Sequence, residues 1–152
     1  MTDRAGDPDG EASPPYGDLL LLNLEDDGTR ARITVEVAAD VPARLAAGEQ
    51  VAVGVDLWRS GRESEYQVYA RGNDEGWLAW LDTPSDFVTY PGTFELGGTK
   101  LVFTLPWSAL GGRLPGSLSA LVEWEKDKAV VLADASADRA PEGRATQPFS
   151  LS

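Results

Sequence analysis

Apolar and polar residues alternate with a period of two through most of the chain. Leu101, Phe103 and Leu105 alternate with Lys100, Val102 and Thr104. Alternation puts the two sets on opposite faces of an extended segment, so it predicts a strand over 99–105 with one face in a core. Pro106 ends this strand, because proline has no N–H to give to a ladder. Ser108-Ala109-Leu110 predicts one short helical turn, closed by Gly111-Gly112. The same reading predicts strands over 18–25, 29–38, 50–58, 65–71, 77–82, 93–96, 117–126 and 129–133. Asp26-Asp27-Gly28, Asn73-Asp74-Glu75-Gly76 and Gly97-Gly98 supply turns.

The strands differ in what they offer a core. Ala31, Ile33, Val35 and Val37 face in on the second, against Arg30, Arg32, Thr34 and Glu36. Val51, Val53, Val55 and Leu57 share a face on the third, and the small Ala52 and Gly54 on its other face imply close packing there. Leu118, Ala120, Val122 and Trp124 line 117–126. The first strand has Leu20, Leu22 and Leu24 on one side and Leu19, Leu21 and Asn23 on the other. That predicts cover on both faces, and Leu19 and Leu21, if exposed, would mark a contact between copies. About nine short strands with turns every eight to twelve residues read as an all-β fold, an antiparallel β-sandwich of jelly-roll-like type. The expected organisation is a flexible acidic segment over 1–16, the sandwich over 17–144 and a tail over 145–152.

Composition narrows the chemistry. The 152 residues suit one domain. There is no cysteine, hence no disulfide, thiolate metal site or thiol nucleophile, and no histidine, the commonest general base. With Met1 the only methionine, haem held by His or Met is not expected. Ser60 and Ser108 have no imidazole to activate them, so catalysis is not expected. The net charge of −12 sets the chain against nucleic acid and anionic membranes. It favours cations, and calcium is the one that carboxylates suit. Asp7-Pro-Asp9-Gly-Glu11 spaces carboxylates on alternate residues, as calcium loops do, without the full EF-hand pattern. No apolar run is long enough to span a membrane, and no signal peptide is seen.

Five tryptophans are many for this size. Trp58, Trp77, Trp80 and Tyr90 flank predicted loops and are candidates for an aromatic platform on which a sugar ring stacks, with Arg59 beside Trp58 for a hydroxyl or carboxylate. The competing role of each ring is core packing. Trp107 after the proline stop, and Trp124 by alternation, are assigned to the core. Tyr66 and Tyr69 fall on opposite faces of their strand.

The order of Ala5-Gly-Asp7, Tyr16-Gly-Asp18-Leu19, the Asp-Asp-Gly hairpin, Val-Gly-Val-Asp-Leu, Leu-Pro-Trp-Ser-Ala-Leu-Gly and Asp138-Arg-Ala-Pro141 resembles DOMON-like and family 9 carbohydrate-binding-module-like sandwiches, over roughly residues 3–144. The resemblance implies a non-catalytic extracellular or cell-surface module that binds sugar, haem or calcium. The haem branch needs axial ligands that this chain lacks. The matching acids are Asp7, Asp18 and Asp138, which with Asp9 form the candidate calcium set. Where the family often has Leu-Asp-Thr-Asp, this chain has Val-Asp56-Leu-Trp58. The expected function is therefore carbohydrate binding, with a protein-interaction or self-assembly module as the alternative.

Overall fold

The computed structural model describes residues 15–58, 66–126, 136–140, 147–149 and 151. Arg59, Asp7, Asp9 and the strand expected over 129–133 lie outside them. The described residues form two antiparallel sheets, as an all-β sandwich requires. The smaller has the order β1 (Leu19–Asp26), β2 (Arg30–Val37), β8 (Lys100–Pro106) and β7 (Thr93–Gly97). The larger has the order β10 (Ser136–Ala140), β9 (Gly116–Lys126), β3 (Glu49–Trp58), β4 (Tyr66–Asn73), β5 (Gly76–Asp82) and β6 (Phe87–Thr89), with β11 (Gln147–Phe149) also on β9. The chain passes from β2 to β3 at one end of the sandwich and from β8 to β9 at the other, since Val37 pairs near Lys100 while Pro106 pairs with Arg30.

Alternation decides the core. Ile33, Val35, Phe103 and Leu105 of the smaller sheet meet Val53, Val55, Leu81 and Val122 of the larger, all at most 2% exposed. Each such side chain contributes about 1.5–3 kcal/mol relative to exposure. The first strand resolves its two leucine faces by a bulge between Leu19 and Leu21. One residue slips, so Leu19 and Leu22 both turn inward and are fully buried, while Leu20 and Leu21 are half-buried. No exposed leucine stripe is left for a contact between copies.

The strand ending at Pro106 leads into a 3₁₀ turn, Trp107–Leu110, and Gly111 closes it at φ 74°, a left-handed backbone that favours glycine. Trp107 is 3% exposed and caps the core at that end. Its indole N–H donates to Asp26 Oδ1 at 2.8 Å, and Gly28 N donates to the same oxygen at 2.8 Å. Arg113 donates from Nε to Asp26 Oδ2 at 2.9 Å, with Nη2 on the same oxygen. These donors, Arg113 foremost, hold the Asp26 carboxyl well below the usual range. Asp27 is lowered too, chiefly by the backbone N–H groups of Thr29 and Arg30.

Three strands carry weak or mixed patterns in the sequence. Phe87–Thr89 lies inside what reads as a long connection, and Ser136–Ala140 and Gln147–Phe149 lie in polar sequence. Each pairs with an existing neighbour, β5 or β9. No helix is long and apolar enough to cross a membrane among the described residues.

Candidate functional site

The outer face of the larger sheet gathers the candidate chemistry. Along β4, the inward residues Val68 and Ala70 are buried, so Gln67, Tyr69 and Arg71 face outward. Along β5, Ala79 and Leu81 turn in, so Leu78 and Trp80 turn out. Register places Tyr69 opposite Trp80, and Arg71 opposite Leu78. The Tyr69 and Trp80 rings lie 4.4 Å apart between centroids, tilted by 44°. The Arg71 guanidinium sits 5.8 Å from the Trp80 ring centroid, within cation–π range. Gly54 stands next in the same row and leaves room for Gln67 and Tyr69 to lean over β3. Gln67 Nε2 donates to Asp56 Oδ1 at 3.0 Å and fixes the amide on this face.

A depression of about 460 Å³ opens beside this pair, lined by Arg71, Asn73, Glu75, Trp77, Leu78 and Trp80 with Gly76 at its floor. Trp77 reaches it from the inner side. Its indole N–H donates to the Pro42 carbonyl at 2.9 Å, and its ring packs 6.0 Å from Phe94. Gly72 makes that position possible, because a Cβ there would stand 2.4 Å from the indole. The depression thus has two aromatic walls, an apolar Leu78, a cation and polar groups. That mix suits a neutral, ring-shaped ligand with hydroxyls at its rim. Nothing in it offers a nucleophile paired with a base.

The sequence-predicted residues divide. Trp77 and Trp80 share the depression. Trp58 is on the same outer face, half-buried, with its indole N–H donating to Ser119 Oγ at 3.0 Å. It lies two strands and four residues from Trp80, roughly 16 Å away on strand spacings. Tyr90 is not a surface ring: its edge packs on Phe103 at 6.4 Å. Its hydroxyl donates to the Thr93 carbonyl at 3.1 Å, with the Thr104 carbonyl at 3.4 Å, and burial pushes the phenol up. Arg59 lies outside the described residues. The sequence does not single out Tyr69, Arg71, Asn73 and Glu75 as ligand-binding residues. The alternation of 65–71 carries a signal for Tyr69 and Arg71; Asn73 and Glu75 lie in a turn that carries none.

Of the candidate calcium set, Asp18 and the main chain of Asp138 lie among the described residues. Asp18 is buried at the start of β1, and its carbonyl accepts from Ala38 N at 2.9 Å. Asp138 is placed by register opposite Val122, on the strand beside β1. Asp7 and Asp9 lie outside the described residues. No group of three or more Asp, Glu, His or Cys that could hold a metal occurs among the described residues.

Compared with protein-family models, curated proteins and solved structures, the chain finds no match.

Proposed function

We propose that the protein is a non-catalytic carbohydrate-binding module whose binding face is the outer side of the larger sheet at β4 and β5. The observation that carries this is the Tyr69–Trp80 pair, set beside Arg71 and a depression walled by Trp77. A pyranose presents an apolar C–H face to such rings, and covering it removes apolar surface from water at about 25 cal/mol per Å². Arg71, Asn73 and Glu75 stand at the rim, where ring hydroxyls need donors and acceptors. The resemblance to DOMON-like and family 9 carbohydrate-binding-module-like sandwiches points the same way.

Titration of soluble oligosaccharides against intrinsic tryptophan fluorescence tests it. A saturable change for at least one glycan, lost in Trp80→Ala, is expected. A flat response across neutral, amino and acidic glycans overturns it. Calcium belongs to the proposal as a structural ion at the Asp18 end, held with Asp7, Asp9 and Asp138. A melting temperature that a chelator leaves unchanged removes it.

A second reading is a protein-interaction module of an extracellular or cell-surface protein. It is favoured by the exposed Leu78, Phe87 and Val88 on one sheet edge.

A further inference from the structure

Four large apolar residues are well exposed among those described: Leu78 at 69%, Phe87 at 65%, Val88 at 40% and Leu114 at 51%. Three of the four sit on β5 and β6, at one edge of the larger sheet. That edge is only half covered. β6 pairs with Trp80, Leu81 and Asp82 and with nothing before them, so no described strand covers Gly76–Ala79. Thr83 N donates to the Asp86 carbonyl at 2.9 Å, which fixes which β5 residues turn their main chain toward β6. By the alternation of antiparallel ladders these are Leu81 and, beyond the end of β6, Ala79 and Trp77. A row of main-chain donors and acceptors therefore faces outward beside exposed apolar side chains.

Charge says what fits there. Asp74 and Glu75 stand at one end of the edge and Asp82 and Asp86 at the other; among the described residues the cations near it are Arg71 and Arg44, the latter next to Leu45, whose N–H donates to the Asn73 carbonyl. A second copy fits poorly. Two copies joined antiparallel about a two-fold axis would set Asp74 and Glu75 of each against Asp82 and Asp86 of the other, like charge on like, in a chain of net charge −12.

We propose that the Gly76–Ala79 edge takes up an extended polypeptide of another protein as an added strand beyond the end of β6, with an apolar residue on Leu78 and Lys or Arg flanking it. Main-chain bonds to Trp77 and Ala79 would give affinity, and the flanking charges would give selectivity. This rests on the protein-interaction reading; the edge shares Trp77 and Leu78 with the glycan depression, and the oligosaccharide titration reads glycan binding separately.

The test is selection of a random 12-residue display library on the intact chain, followed by synthesis of the enriched peptides. Enriched peptides should be rich in Lys and Arg. Their affinity should fall about tenfold or more in Leu78→Asp and less in Phe87→Asp, which lies about 13 Å further along the sheet, opposite Asp82. It should also weaken as salt rises from about 0.05 to about 0.5 M. Both substitutions are at exposed side chains, and an unchanged melting temperature verifies that each variant is folded. No enrichment, enriched peptides without basic bias, or equal binding by both folded variants would overturn the proposal.

Discussion

The two outer faces of the sandwich are built on opposite plans. On the smaller sheet, Glu25, Glu36 and Glu95 alternate with Arg30, Arg32 and Lys100. Glu25 faces Arg32 directly at 3.9 Å, and Glu36 faces Lys100 across the next ladder. Between them lie Asn23, Thr34, Thr93 and Thr104, with Val102 as the apolar residue of the row and no aromatic ring among those described; Thr34 and Val102 are buried beneath their neighbours. Such a face is charge-balanced. On the larger sheet, Asp56, Asp82, Glu123 and Glu125 stand on the outer face with Arg71, register places Arg139 opposite Leu121, and Arg71 lies over Trp80 rather than against a carboxylate. Acids outnumber cations there and rings are left half in water. Both cost stability, the like charge repels a second copy while the rings favour contact, and the larger sheet's face is therefore the less solvent-adapted of the two.

The largest effect belongs to the core that both faces share. Phe103→Ala should lower unfolding free energy by about 3–5 kcal/mol in denaturant titration, removing both faces together. A loss under about 1 kcal/mol would mean that the sheets do not pack as described. Next comes the contrast itself. Trp80→Ala should weaken glycan binding about tenfold or more, equivalent to about 1.4 kcal/mol, while Thr104→Ala on the opposite face leaves it unchanged. Equal losses would erase the difference between the faces.

A smaller effect is pH dependence at the Asp26 end. Asp26 and Asp27 have folded values below the ordinary 3.8. Their stabilisation is fully present above about pH 5 and is lost as pH falls through 3.8 toward the folded values. Thermal melts between about pH 7 and pH 2.5 should show this loss, and Asp26→Asn should flatten part of it. The smallest effect is Arg32→Ala. Its partner is exposed, so a change of about 0.2–1 kcal/mol at low salt is expected, vanishing at high salt.

How much was legible follows from what each signal depends on. The strands at 30–37, 49–58, 100–106 and 116–126 are readable because their inward positions are apolar except at the ends, where Glu49 pairs with Lys126. Trp107 as a plug and Gly111 as a closing residue follow from Pro106 and the paired glycines. The first strand reads wrongly by one residue beyond Leu19, because a bulge has no composition of its own. Tyr90 misleads because it lies in a loop-like stretch with Pro91, yet Gly92 lets the chain close on β8, where a Cβ would meet the Thr104 carbonyl at 1.8 Å. Trp77 and Trp80 were separated correctly by parity. That they border one depression depends on Trp77 standing at a sheet edge, which requires knowing that β6 is short. Tyr69 and Arg71 become a site only through their cross-strand neighbours, and register between strands is not written in either strand alone.

The most direct test of the account is amide chemical-shift mapping on the isotope-labelled protein during titration with a glycan that changes its fluorescence. The account predicts shifts at Tyr69, Arg71, Asn73 and Leu78–Trp80, with Asn23, Arg32 and Thr104 unmoved. Shifts centred on the smaller sheet's outer face would contradict it.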